Sequence, residues 1–254
     1  MKDAVLPSIA PRSVDCAVIE LRQYTLHPGM RETLIGLFER EFVESQEACG
    51  ARVIGQFRDL DRPDRFVWLR GFADMPGRKQ ALADFYGGPV WKAHRDAANA
   101  TMIDSDDVLL LRPAWSRAGF DHDPATRPDL GSTVASEARF VARVYVFGAP
   151  VESDLAEWFR HAVIPLFDEL GASTVAVLVT EDAENNFPAL PVREGEHVLV
   201  WIARFDDHAA QARFFEAVGR SRRWNEELLP VLRRRLLDKP ALLRLAPSAR
   251  SALR

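Results

Sequence analysis

"VIELRQYTL" at residues 18–26 and "RFVARVYVF" at residues 139–147 decide how this chain is read. In both, side chains alternate with the two-residue period of a strand. Ala17, Ile19 and Leu21 share one face of the first stretch, and Glu20, Arg22 and Tyr24 share the other. In the second, Phe140, Ala142, Val144 and Val146 form the apolar face opposite Val141, Arg143 and Tyr145. Arg and Tyr therefore recur at the same two places, 121 residues apart.

The surroundings of each strand recur as well. "PGMRETLIGLFEREFVESQEACG" (28–50) spaces Leu34, Leu37, Phe38 and Phe42 for a helix that Gly50 ends. "ARVIGQFRDL" and "RFVWLRGF" read as strands joined by the turn "DRPD". The next helical stretch is broken at Gly87-Gly88-Pro89, and "DDVLLLRP" closes the half as a strand. After residue 138 the same order follows: strand, a helix with a kink expected at Pro165, two strands, a helical stretch and the last strand "PALLRLAP". Gly50 and Gly171 are also 121 apart, while Trp68 and Trp201, and Trp91 and Trp224, are 133 apart. The difference falls within one loop, "DAENNFPALPVREGE" (182–196), as expected of a duplicated unit.

Each half is then a βαββαβ unit: an antiparallel sheet with two helices on one face. The expected units are residues 14–115 and 138–247, with the Pro-, Gly- and Asp-rich stretch 116–137 as linker. Two bare sheet faces can close against each other as one barrel with the helices outside. On this reading Ile19 and Leu21 lie under the helices, and the Glu20, Arg22, Tyr24 row lines the barrel interior with Trp68, Arg70, Arg143, Tyr145 and Trp201.

Composition narrows the function. Across 254 residues, 47% hydrophobic and 28% charged residues describe a globular chain, and a net charge of −4 is unlike a dedicated nucleic-acid binder. No apolar run approaches the ~20 residues of a membrane span. The lead-in "MKDAVLPSIAPRSVD" lacks a signal peptide's apolar stretch, and two cysteines suggest no disulfide framework, so the expected location is cytoplasmic. The six histidines show no metal-ligand spacing, "DHD" at 121–123 falling in the linker. There is no Walker loop, no G-x-G-x-x-G after a strand and no G-x-S-x-G elbow, so neither metal nor cofactor is expected.

"IELRQYTLHPG", a helix ending "CG", "WLRGFADMPGR" and "FYGGPVWKAHRDAANATM" together resemble the NIPSNAP family, well in the first half and more weakly in the second, where Val141 replaces the acid. The resemblance implies a dimeric α+β barrel, in which ferredoxin-like units pair to close one barrel. Its wider superfamily contains cofactor-independent monooxygenases, lactone isomerases, decarboxylases, dehydratases and haem-handling proteins. Eukaryotic relatives are linked instead to roles exercised through protein contacts.

Two functions stand open. The first is a small-molecule enzyme or binder using acid–base or oxygenase-type chemistry on an acidic or carbonyl-bearing compound. In it, Arg22 and Arg143 orient the ligand, Tyr24, His94 or Glu20 transfer protons, and Trp68, Arg70, Phe85, Tyr86, Trp91, Tyr145 and Trp201 complete the site. His94 follows Trp91 by one helical turn, and His27 opens a turn where local capping is the plainer role. The second is a scaffold protein whose interior network is satisfied by its own residues. A homo-oligomer, formed through outer edges or helices, is compatible with either.

Overall fold

The computed structural model describes residues 16–121 and 126–254. The lead-in, and His122 and Asp123 of "DHD", lie outside the described residues.

Eight strands form one closed antiparallel barrel: β1 (Val18–Leu26), β2 (Arg52–Asp59), β3 (Arg65–Phe72), β4 (Met102–Pro113), β5 (Arg139–Phe147), β6 (Ser173–Thr180), β7 (His197–Phe205) and β8 (Ala241–Pro247). Around the barrel they run β1-β3-β2-β8-β5-β7-β6-β4. Each half contributes four neighbours in the ferredoxin-like order. The halves meet along two short seams: β2 on β8, with Phe57 opposite Pro247, and β4 on β6, with Leu111 opposite Thr180. Closure leaves no free sheet edge.

The α-helices of the described residues are α1 (Arg31–Leu37), α2 (Val43–Ala48), α3 (Met75–Gly87), α4 (Pro89–Asn99), α5 (Ser153–Trp158), α6 (Ile164–Glu169), α7 (His208–Arg220) and α8 (Leu229–Arg233), and local sequence explains where they break. Asp74 caps α3 (Met75–Gly87) by accepting from the Gly77 amide, and Asp207, 133 residues later, caps α7 (His208–Arg220) through Ala210. Gly88 separates α3 from α4 (Pro89–Asn99): a Cβ there would lie 2.8 Å from the Asp84 carbonyl oxygen, and Pro89 suits the first turn of α4. Gly50 and Gly171 turn out of equivalent helices with φ of +96° and +102°. Three π-helical turns interrupt the helical layers, at Phe38–Phe42, Phe159–Val163 and Arg223–Leu228. The second and third come just before Pro165 and Pro230, whose missing amide protons disturb the ladder, so the expected kink is taken up as a π turn.

The two strand faces are the reverse of the sequence expectation. The barrel interior is filled by Ile19, Leu21, Phe57, Leu69, Phe140, Leu178, Val200 and Leu243 and their neighbours, apolar side chains drawn from all eight strands. Glu20, Arg22, Tyr24, Trp68 and Arg70 instead lie between the sheet and the helices, and so do Tyr145 and Trp201 in the other half. The physical reason is space and partners. An eight-stranded barrel is just wide enough for interdigitated side chains and has no room for guanidinium groups with their counter-ions. The helical layer supplies what they need, including Gln46, Arg78 and a wall of aromatic rings.

Candidate ligand sites between sheet and helices

In the first half, the layer is built around one carboxylate. Glu20, wholly buried, accepts from Arg78 Nε at 2.6 Å through Oε1, and from Arg22 Nη1 and Arg70 Nε, both at 2.8 Å, through Oε2. Burial alone would raise its pKa, but the charges of Arg70, Arg22 and Arg78 overcome that and hold the carboxyl well below the ordinary range. Glu20 is therefore a fixed anion and a poor proton carrier. Arg22 Nε donates to the Tyr24 hydroxyl at 3.0 Å, and Arg70 Nη1 to Gln46 Oε1 at 2.9 Å. Burial raises the Tyr24 pKa against the pull of Arg22, so Tyr24 remains a neutral phenol at neutral pH.

Aromatic rings wall this network. Tyr24, Phe38, Phe42, Trp68, Phe85, Tyr86 and Trp91 surround a void of about 30 Å³. By that measure it holds about two waters. The loop 182–196 of the second half reaches over the layer: Phe187 stacks on Tyr86 at 6.2 Å, Asn185 and Asn186 accept from Arg78 Nη1, and Asn186 Nδ2 donates to the Met75 carbonyl.

Tyr24, Trp68, Phe85, Tyr86 and Trp91 thus come together with Glu20, Arg22 and Arg70 beside them, but under the helices and not in the barrel interior where the sequence reading put the strand residues. His94 does not join them. It is one-third exposed on α4 and lies 3.4 Å from Glu41 Oε2. His27 is exposed in its turn. Arg78, Gln46, Asn185 and Asn186 were missed. Arg78 stands one turn into a helix otherwise read from its apolar residues, and the asparagines sit in a loop that the alignment of halves treats as an insertion.

The second half repeats the strand pair and changes the partners. Val141 stands where Glu20 does, and no carboxylate of the described residues is within ion-pair distance of Arg143. The Arg143 Nε and the Tyr145 hydroxyl are both buried, with no hydrogen-bond partner outside this Arg–Tyr pair. Burial pushes the Tyr145 pKa up to about 12, with the neighbouring Arg143 charge and a hydrogen bond from the Arg143 side chain opposing it. Both side chains line a cavity of about 530 Å³, walled by Trp224, Leu229, Leu236, Leu237 and Pro240 and edged by Arg233, Asp238 and Lys239. That volume is in the range of small-molecule sites. Trp224 sits on the π turn Arg223–Leu228, a helical irregularity frequent at functional sites. Trp201 is not part of this cavity: its Nε1 donates to Thr174 Oγ1 at 3.0 Å and its ring packs on Phe167 and Phe214.

No group of three or more His, Cys, Asp or Glu side chains among the described residues is placed to hold a metal ion. Among them, too, no helix is long and apolar enough to cross a membrane.

Comparison with known proteins agrees with this architecture. A proposed monooxygenase from Fusobacterium nucleatum subsp. nucleatum superimposes with a TM-score of 0.59 at 10% identity, over 92% of this chain and 93% of its own. An anthrone oxidase-like protein does so with a TM-score of 0.55 at 14% identity, over 94% and 95%. At these identities the likeness is one of fold. Two curated UDP-N-acetylglucosamine–N-acetylmuramyl-(pentapeptide) pyrophosphoryl-undecaprenol N-acetylglucosamine transferases, from strains of Acidithiobacillus ferrooxidans, are 30% identical over 243 residues. The chain spans 59% of the length of these curated relatives, and the match takes in 92% of the chain. Residues 19–117, which carry β1 to β4 and the whole Glu20 network, match the NIPSNAP family model, so the first half of the chain is a NIPSNAP-type unit.

Proposed function

We propose that the chain binds a small acidic or carbonyl-bearing compound with an apolar body, in the cavity between the sheet and helices of the second half. One observation carries the reading: the Arg–Tyr pair that Glu20 closes in the first half is left open in the second, facing a cavity of about 530 Å³. A buried donor without a partner costs about 1–3 kcal/mol, which a ligand oxygen would relieve. Arg143 would take a carboxylate or carbonyl oxygen. Tyr145, held as the phenol far above neutral pH, would donate a second hydrogen bond and is the group placed to protonate a developing oxyanion. Leu229, Leu236, Leu237 and Trp224 would hold the apolar body, while Arg233 and Lys239 favour an anion at the mouth.

The scaffold role fits the first half better, since its Arg–Tyr pair is closed by Glu20 and its void holds no more than a few atoms. The transfer of N-acetylglucosamine named for the curated relatives is the weaker reading for this chain. A UDP-sugar donor calls for a diphosphate cradle, and the sequence has no glycine-rich phosphate loop.

A thermal-shift screen of carboxylates, phenols and quinones tests the proposal on wild type and Arg143→Ala. Arg143 is partly exposed and in no ion pair, so the variant is expected to fold. A ligand at about a hundred times its Kd stabilises by roughly 2.7 kcal/mol, a shift of several degrees at this chain length. Hits lost in Arg143→Ala support the cavity. Hits kept in Arg143→Ala, or a screen without hits, would reject it.

A further inference from the structure

The lining of the second-half cavity carries more positive than negative charge. Arg143, Arg233 and Lys239 are its cations and Asp238 is its one carboxylate, so two positive charges are in surplus there. Among the described residues none of the four is in an ion pair, and Asp238 Oδ1 accepts from the Lys239 backbone amide. The arginines next to Arg233 are engaged elsewhere. Arg234 Nε donates to the Pro230 carbonyl on α8, and Arg235 lies 3.6 Å from Asp154. Arg233, the last residue of α8, has neither kind of partner and lines the cavity.

The backbone fixes where Lys239 stands. The Leu237 amide donates to the Val146 carbonyl, and Ala241 pairs with Val144, so residues 238–240 form a short arch with both feet on β5. Arg143 lies one position beyond the second foot, opposite Leu242. The three cations therefore come from three places around one cavity: the sheet, the end of α8 and the arch. They also differ in exposure, Arg143 being partly buried and Arg233 and Lys239 exposed at the rim. Trp224, Leu229, Leu236 and Pro240 supply apolar wall to the same cavity. A ligand with a single acidic group at Arg143 leaves the rim charges unmatched. A second acidic group, set off by an apolar spacer, matches both the charges and the wall.

We infer that the ligand class of this cavity is a diacid: two anionic groups joined by an apolar spacer, the inner one on Arg143 and the outer one on Arg233 and Lys239. The inference rests on the proposed use of this cavity as a ligand site, and it makes Arg233 and Lys239 the residues that select a diacid over a monoacid.

The test is a thermal-shift titration of the full chain at constant ionic strength. It compares the straight-chain diacids from glutarate to sebacate with the monoacids of the same chain lengths, and with octyl phosphate, which carries both charges at one end. At least one diacid should bind about tenfold or more tightly than its monoacid, the gain expected of two partly screened contacts. Octyl phosphate should bind more weakly than that diacid. In the double variant Arg233→Gln, Lys239→Gln the diacid-to-monoacid ratio should fall toward one; both side chains are exposed and in no ion pair, so the variant is expected to fold. Arg143→Ala should weaken both kinds of acid. Equal binding of diacids and monoacids, a diacid preference that survives the double variant, or octyl phosphate matching the best diacid overturns the diacid assignment and leaves the cavity reading standing. A series in which no acid raises the melting temperature overturns the cavity reading and this inference with it.

Discussion

Replacing Glu20 with glutamine removes the single carboxylate shared by Arg22, Arg70 and Arg78 while keeping the side chain's shape. Breaking a buried pair costs about 3–5 kcal/mol, because the partner's charge stays behind in a dry site. Here three partners stay behind, so the loss belongs at the upper end of that range. At about 2–4 °C per kcal/mol for a chain of this length, the melting temperature should fall by roughly 8–20 °C. Urea titration should show the same loss as a lower midpoint at unchanged slope. The pH dependence gives a second check. Glu20 has a folded pKa below its ordinary 4.5, so its contribution is complete above about pH 4.5 and is withdrawn as pH falls toward the folded value. Between pH 7 and pH 3 the gap between wild type and Glu20→Gln should therefore narrow by about 2 kcal/mol. As a control, Glu226→Gln breaks an exposed pair with Arg222 and should cost no more than about 1 kcal/mol. A Glu20→Gln loss below about 1 kcal/mol, or a gap that does not change with pH, would refute the view that this carboxylate holds the layer together.

Val141→Glu restores to the second half the acid of the first, two residues before Arg143; ligand affinity in the cavity should fall by about tenfold or more, read by titration of any screening hit, and stability should fall too, because Val141 is fully buried among apolar side chains. Tyr145→Phe should flatten the alkaline limb of stability: with a folded pKa near 12 against an ordinary 10, wild type loses this contribution as pH rises from about 10 to 12, and the variant has none to lose. Leu21→Ala opens a hole in the barrel interior and should cost about 2–5 kcal/mol by urea denaturation, whereas packing of Leu21 against the helices would leave room for collapse and a smaller loss. His94→Ala should cost no more than about 1 kcal/mol and leave binding in the cavity unchanged, since its contacts are a partly exposed Glu41 and the edge of the Phe42 ring, neither of which lines that cavity.

The sequence states a strand's two faces but not which face is inside. In β1, Ile19 and Leu21 alternate cleanly with Glu20, Arg22 and Tyr24, and every one of these residues is buried. Alternation separates a buried face from a solvated one when polarity differs for that reason. Where both faces are covered, polarity reports the chemistry of each cover, and a barrel packed with hydrocarbon looks from the sequence like a sheet packed under helices. The recurring spacings, by contrast, were legible because they are set locally: Gly50 and Gly171 by the left-handed turn each must make, Asp74 and Asp207 by the amides each caps. The aromatic half of the first site was legible for a similar reason, since Trp68, Phe85 and Trp91 belong to neighbouring elements of one unit. Arg78 and the Asn185–Asn186 pair were not, because their meeting joins residues more than a hundred positions apart across two halves.

The same strand pair has therefore met two electrostatic ends. With Glu20 present, the arginine of β1 is paired inside the fold, its layer closes to a void of about 30 Å³, and a loop from the other half lies across it. With Val141 in that place, the arginine of β5 keeps its charge and loses its partner, and the layer stays open at about 530 Å³. Arg143 is partly exposed, so without an acid at position 141 its charge is left to water or to a group outside the chain, at less cost than a wholly buried cation would carry. The cavity there is walled by leucine, proline and tryptophan, with Arg143 and Tyr145 among its lining residues, and its volume is in the range of small-molecule sites. One carboxylate, kept in one half and absent from the other, thus separates a layer closed on its own residues from a layer that keeps a cavity.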